Sequence, residues 1–378
     1  MSKKIFLSLM VMAAMLMAGT AIAGEMHTKI YGKAHVSTES LNNGEDSSIF
    51  MSSNSTRVGI KGKYATDVEA FTVIFQFESN ANFNGETNNV LSSRNSYAGL
   101  MGNWGKAIWG RHDSPVKTLS RKVDFFADRI GDSRNLTRFD INYMDDNDTP
   151  KGFDERYANM IMYVTPKLAD AITVALQYVP EEGKDSNMSV FSGNAVWHKN
   201  ALLVGVGYET HGKGYYGFNA GDDSPENQAI ESAATVRAIA GWTGEKFAIK
   251  GLYQNVSNVG GIKEVSGMAY GLGASFDLGT AWVLRGQYYA MDYSFDTDEG
   301  QVEPTDTGNA MFALGVDYVL NEKALIYLAY AASMNQDNAY NTPFRGGHGQ
   351  DYRMGVDDEM TRNGESPYGI ALGMIAKF

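Results

Sequence analysis

No cysteine occurs anywhere in this chain, which excludes a disulfide framework, a thiolate zinc site and thiol catalysis. Proline is scarce, at 8 of 378 residues, so little removes donors from β-ladders. Bases fall short of acids, 32 against 44, and the formal net charge is −12 at pH 7. Without a basic surplus nothing displaces counterions from phosphates, and no nucleic-acid partner is expected. Long apolar runs are missing as well. Beyond residue 23 each apolar stretch is broken by charge, Gly or polar groups within about a dozen residues, short of the ~20 that a membrane helix requires. No composition shift or linker divides the chain, so one domain follows the amino-terminal segment. What is abundant is Gly, at 41, with 21 Tyr, 18 Phe and 5 Trp, a composition suited to many strands and turns.

The amino-terminal segment reads as an address. Lys3 and Lys4 precede an apolar run from Ile5 to Ala18, followed by Ala21-Ile22-Ala23. A charged start, a short apolar stretch and a small-x-small site together predict a secretory signal peptide cleaved after Ala23. Residues 24–378 then form the mature domain.

Period-two alternation recurs throughout that domain, the signature of half-buried strands. Phe71, Val73, Phe75 and Phe77 share one face, while Thr72, Gln76 and Glu78 share the other. Phe312, Leu314, Val316, Tyr318 and Leu320 form a similar stripe. The pattern predicts sixteen strands, at about 27–38, 55–65, 69–79, 93–102, 104–112, 156–165, 170–180 and 188–199 in the first half. The second half adds about 201–210, 231–243, 245–257, 263–277, 280–293, 308–320, 323–335 and 366–378. Short connections alternate with long ones, the long set being 39–54, 80–92, 113–155, 181–187, 211–230, 258–262, 294–307 and 336–365. A soluble sandwich has no reason to collect its long loops at one end. A transmembrane barrel does, because its short turns and long loops lie on opposite sides of the bilayer. The fold class is therefore all-β, an antiparallel barrel whose first and last strands must pair, since hydrocarbon cannot satisfy an open edge. Tyr368, Ile370, Leu372, Met374, Ala376 and the terminal Phe378 lie on one face of the closing strand. An apolar final strand ending in Phe resembles the signal that directs outer-membrane assembly.

Ordered blocks of sequence carry a family resemblance. They are Ile30-Tyr31-Gly32-Lys33, the run Asn54–Gly62, Arg94-Asn95-Ser96-Tyr97-Ala98-Gly99-Leu100, Gly110-Arg111-His112-Asp113-Ser114-Pro115, and Phe378. In that order the chain resembles the trimeric general porins of the Gram-negative outer membrane, nearest to the neisserial type. The resemblance implies a water-filled, sixteen-stranded pore narrowed by an inward-folded third loop, here 113–155. It implies an outer-membrane location and passive diffusion of small hydrophilic solutes and ions. It also implies a homotrimer, with the 80–92 loop latching onto a neighbour, in contact with membrane lipid and lipopolysaccharide.

Alternation also assigns a wet face. If Val58 and Ile60 meet lipid, Arg57 and Lys61 point inward; if Ile30 does, Lys29, Tyr31 and Lys33 point inward. With Tyr97 outside, Arg94 is inside, and with Ile161 and Tyr163 outside, Arg156 is inside. Arg111 is a further candidate whose parity conflicts with that of Trp109. The resemblance sets loop acids opposite this basic wall, and Asp124, Asp128 and Asp132 are the candidates. Facing charges in a narrow passage would order water and orient dipolar solutes.

No catalytic motif, cofactor site or metal site is expected. The six His show no ligand spacing, and neither a nucleophile elbow nor a phosphate-binding loop occurs. Asp145-Asp146-Asn147-Asp148 is acidic but lacks the spacing of a calcium loop. Two rivals remain on the same barrel, a substrate-specific channel and, less favoured, an outer-membrane enzyme.

Overall fold

Residues 202–208 show how the wall is made. Leu202, Val204, Val206 and Tyr208 are each between 43% and 51% exposed, while Gly205, Gly207 and Glu209 between and beyond them are buried. A strand with one greasy and one covered face must join a sheet whose outer side meets an apolar medium. No helix among the described residues is long and apolar enough to cross a membrane. The computed structural model describes residues 26–83, 94–140, 151–181, 187–216, 230–296, 304–345, 348–349 and 363–378. The expected leader at 1–23, the 145–148 acidic cluster and most of the 80–92 loop lie outside the described residues.

Seventeen hydrogen-bonded segments make one antiparallel sheet. In chain order they are β1 (Met26–Asn42), β2 (Ser47–Ser53), β3 (Arg57–Ala65), β4 (Thr72–Asn80), β5 (Ser96–Gly102), β6 (Gly105–Asp113), β7 (Arg156–Val164), β8 (Ile172–Val179) and β9 (Val190–Lys199). Then come β10 (Leu202–His211), β11 (Ala233–Thr243), β12 (Phe247–Ser257), β13 (Val265–Asp277), β14 (Trp282–Phe295), β15 (Asn309–Asn321), β16 (Ala324–Asn335) and β17 (Tyr368–Lys377). Segments β2 and β3 both pair with β1, along Val36–Asn42 and Met26–Lys33 respectively. They form a single stave broken at 54–56, where Ser55 adopts a left-handed φ of 52°. The barrel therefore has sixteen staves.

It closes by pairing β1 with β17, Lys33 opposite Lys377 through Asn42 opposite Tyr368. Phe378 completes the seam. Its N–H donates to the Gly32 carbonyl at 3.2 Å, and its own carbonyl accepts from Gly32 N–H at 3.1 Å. The Phe378 ring covers Gly32 so closely that a β-carbon there would sit 2.2 Å from Cζ. Deleting Phe378 removes both bonds and the ring, and is expected to lower the yield of folded barrel in the outer-membrane fraction. Heat-modifiable mobility on gels checks it, and an unchanged yield would show that the seam closes without it.

One connection departs from expectation. The segment 39–54 is not a long loop: β1 runs on to Asn42, and the chain turns within 43–46. Asn43 makes this turn, its Oδ1 accepting from the N–H groups of Glu45 and Asp46 at 3.1 and 2.9 Å. The strand continuation was hidden because its covered positions are mostly polar (Ser37, Glu39 and Ser52, with Leu41 the exception), so no continuous apolar stripe marked it. Elsewhere the short turns 66–71, 103–104, 165–171, 200–201, 244–246, 278–281 and 322–323 share one end. Outward-facing aromatics gather there. Trp104 stacks on Tyr163 at 6.3 Å, and Trp282 meets Tyr318 at 4.7 Å.

Candidate functional site

The long connection after β6 is not structureless. It opens with helix α1 (Pro115–Val123) and later forms one helical turn, α2 (Arg134–Thr137). Ser114 caps α1 by accepting from Lys117 N–H at 3.1 Å, with Pro115 at the first helical position and Arg121 and Lys122 in the last turn. That Ser-Pro start was the signal available in the sequence. Nine residues are too few for a helical period to stand out.

Three faces of α1 serve three purposes. Val116, Leu119 and Val123 are buried against the barrel wall, where Gly207 leaves room: a β-carbon there would lie 2.7 Å from Leu119 Cδ1. The loop is fastened to the covered face of the sheet by ionic links too. Arg237 of β11, fully buried, donates to Asp154, to the carbonyls of Val116 and Thr137 at 3.1 Å each, and to Gln254 Oε1. Arg129 bonds Asp317 of β15 at 2.6 Å and lies over the Tyr327 ring, 4.1 Å from its centre. Gln287 of β14 accepts from Phe125 N–H at 3.0 Å and donates to the Gly131 carbonyl at 2.7 Å.

A cavity of 560 Å³ lies between this loop and the wall formed by the first staves. Lys33, Arg57, Arg94 and Arg156 line it, as does Asp128 from the loop, so five of the candidates meet in one place. Lys33 Nζ reaches Asp128 Oδ2 at 2.7 Å. The other candidates lie elsewhere. Lys29 and Lys61 are cross-strand neighbours outside the cavity lining, and Lys61 Nζ sits 5.1 Å from the Tyr31 ring centre. Arg111 does not line the cavity, and the register shift between Gly110 and His112 breaks its alternation with Trp109, which is 45% exposed on the outer wall. Asp124 and Asp132 lie behind it. Asp132 is gripped by Arg134 at 2.8 Å and Arg121 at 3.3 Å. Asp124 accepts from Ser133 N–H and Oγ at 3.0 Å, from Phe126 N–H at 2.8 Å and from Gln287 at 3.0 Å.

The electrostatics separate these loop acids. Burial works against ionising Asp128, but Arg121, Lys33 and Arg134 outweigh it and hold the carboxyl well below its usual range. Asp132 is likewise buried yet drawn down to about 2 by Arg134 and then Arg121. Asp124 goes the other way: burial, with the Asp132 charge beside it, pushes its carboxyl up to about 7. Of these three acids only Asp128 lines the cavity. Burial lowers the Lys117 ammonium to about 8, against the pull of Asp113.

Several lining groups escaped the sequence reading. Glu78 of β4 accepts from Tyr31 at 2.9 Å and Arg94 at 2.8 Å, with Arg57 at 3.9 Å. Asp113 pairs with Arg156 at 2.9 Å and Lys117 at 3.1 Å. Lys117 and Arg121, four apart on α1, and Arg134 complete the basic side with Lys377. The parity of Glu78 with Gln76 was the clue for the first, and the i, i+4 spacing of 113, 117 and 121 for Asp113, Lys117 and Arg121, while Arg134 and Lys377 carried no such signal. In all, eight Lys and Arg side chains line the cavity against three carboxylate side chains and the chain terminus.

The profile of the Gram-negative porin family matches residues 8–338. Among solved structures, an anion-selective porin from Comamonas acidovorans superposes with a TM-score of 0.73 at 18% identity, over 94% of this chain and 100% of that one. OmpT of Vibrio cholerae gives 0.65 at 16% identity, over 93% and 98% of the two chains. OmpF of Salmonella typhi, in complex with daunomycin, gives 0.64 at 15% identity, over 93% and 97%. No curated protein matches the sequence.

Proposed function

The chain belongs to the Gram-negative porin family, and on that premise we propose that the 560 Å³ cavity is the narrow part of its channel and favours small anions. The protein forms an outer-membrane porin channel. The observation that carries the selectivity reading is the excess of Lys and Arg over carboxylates around one confined space. Each of Glu78, Asp113 and Asp128 is already engaged by bases, so the surplus charge is positive. Low-dielectric walls make such a surplus act on a passing ion more strongly than it would in bulk water. A net charge of −12 for the whole chain does not oppose this, because surface charge beyond a Debye length of ~8–10 Å is screened from the passage.

Short turns on the periplasmic side and long loops outside complete the orientation. The homotrimer, the cleaved leader and contact with lipopolysaccharide belong to the same proposal, supported by a Vibrio cholerae OmpT described in trimer form. A channel rather than an enzyme suits the two acid–histidine salt bridges found among the described residues. Glu209 with His211, and Glu39 with His348, have no exposed side-chain surface. His211 is closed in by the rings of Phe153 and Tyr215 at 4.6 and 4.1 Å, so no substrate reaches it.

Purified protein in planar bilayers under a KCl gradient is expected to give a zero-current potential of the sign set by chloride. A potential of the sign set by potassium would overturn the anion reading while leaving the channel itself intact.

A further inference from the structure

A second cavity, of 340 Å³, lies on the other flank of α1. The helix separates the two: Lys117 and Arg121 face the first, whereas Pro115, Thr118 and Lys122 face the second. Spacings of four, and of three and seven, put these sets on different sides of one helix. The far wall comes from β6 to β9 and the turn between β7 and β8, bringing Lys106, Lys167, His112 and His198 to the same space. Lys106 follows the turn at 103–104, Lys167 sits in the turn at 165–171, and His198 precedes the turn at 200–201. The second cavity thus extends from His112, next to the Asp113 that lines the first, towards the short-turn end at Lys106 and Lys167.

Its chemistry differs from that of the first. No carboxylate lines it, and no salt bridge among the described residues engages Lys106, Lys122 or Lys167. Asn194 is spent on the helix, donating to the Pro115 carbonyl at 2.6 Å and Thr118 Oγ1 at 3.0 Å. Met162, Val164 and Val196 supply an apolar floor, with Lys106 half-buried and Lys122 and Lys167 exposed at its edges. The cationic groups able to meet an ion are therefore ammonium groups on three separate elements, with no guanidinium. Lysine is a flexible point charge without the planar fork that grips an oxyanion bidentately. Three of them attract an ion bearing more than one charge and release it readily, the balance that conduction requires.

We propose that this cavity is a holding station for small multivalent oxyanions of the phosphate kind, extending the anion preference proposed above by a second site on the other flank of α1. An ion held there slows chloride passing the same stretch, so inorganic phosphate blocks chloride current at partial occupancy. The test titrates inorganic phosphate into both compartments of a bilayer carrying chloride current. It compares the native protein with Lys106→Gln/Lys122→Gln/Lys167→Gln and with the triple Lys→Arg variant at the same positions. The half-blocking phosphate concentration is expected to rise about tenfold in the Gln variant, as three partly screened contacts vanish together, and to fall below the native value with Arg, whose planar fork grips the oxyanion more tightly. Equal block in the native and Gln proteins, or no block in the native protein, overturns the station. The sign of the KCl potential is read separately, and the phosphate titration decides this inference whichever sign is found. Should the Gln triple fail to assemble, Lys106→Gln and Lys167→Gln alone are each expected to raise the half-blocking concentration, and neither doing so is equally decisive.

Discussion

Asp154→Ala is expected to cost about 3–5 kcal/mol of stability, because it leaves the fully buried Arg237 guanidinium without its carboxylate. Few groups in the molecule are so enclosed, since both side chains have no exposed surface. The loss extends beyond the ion pair. Ser120 and Thr137 donate to the other carboxylate oxygen at 3.3 and 3.1 Å, and Arg237 ties the carbonyls of Val116 and Thr137 to the wall. One substitution therefore slackens α1, α2 and the return to β7 together. Two readouts follow. The urea midpoint of the barrel should fall, and single-channel conductance should rise and become noisier as the loop loses its tie. Replacing both residues by Leu removes the stranded charge as well as the pair, and such double replacements often recover much of what the single loses. A double variant as unstable as Asp154→Ala would show that the bonds to the loop carbonyls, rather than the charge pairing, hold the segment down. A single variant with native midpoint and conductance would mean that Arg237 does not anchor the loop.

How much of this was legible beforehand depended on what each position packs against. Staves such as β10 and β17 were readable because lipid and the covered face demand opposite side chains, so composition alternates with the pleat. The stretch at 47–53 was not, because its apolar residues Ile49, Phe50 and Met51 are consecutive and flanked by Ser, so no period-two stripe stood out. On the basic wall all four of Lys33, Arg57, Arg94 and Arg156 line the cavity, Lys33 and Arg57 by the expected parity; Arg94 does so although Tyr97, opposite Gln76, faces the covered side, and Arg156 although the left-handed Asn159 breaks the alternation running back from Ile161. Parity alone overreached for Lys29 and Lys61, whose strand positions share the face but lie outside the cavity lining. The loop acids were a different problem. Asp124, Asp128 and Asp132 are spaced four apart, yet Asp128 turns into the cavity through a left-handed φ of 62° while the other two bind their own loop. Loop geometry set by tertiary contacts leaves no periodic trace. Glu78 shows the complementary limit: its parity was plain, but its grip on Tyr31 and Arg94 depends on how neighbouring strands are staggered.

Neutralising Arg57, Arg94 and Arg156 together with Gln is expected to reduce the chloride-to-potassium permeability ratio about tenfold. Two unit charges 4 Å apart interact by ~1 kcal/mol in water and ~4 kcal/mol at an effective dielectric of 20. A hydrated ion passing the cavity lies between these limits and is partly screened, so losing three charges amounts to about 1.4 kcal/mol, a factor of ten. The three Arg are not equivalent. Arg94 and Arg156 are held on Glu78 and Asp113 at 2.8 and 2.9 Å, so their guanidinium groups are turned to those acids. Arg57 is 3.9 Å from Glu78, so its charge is the least cancelled and its single substitution should shift the ratio most. Glu78→Gln makes the converse case: it removes the acid and leaves the Arg, so anion preference should strengthen. Lys61→Gln alters a charge on the same face but outside the cavity lining, and its zero-current potential should stay near native. Opposite shifts for Glu78→Gln and the Arg variants, with Lys61→Gln unmoved, would locate selectivity in this cavity. If all of these potentials match the native one, the cavity is wide enough for ions to pass fully hydrated and screened, and its charge does not select.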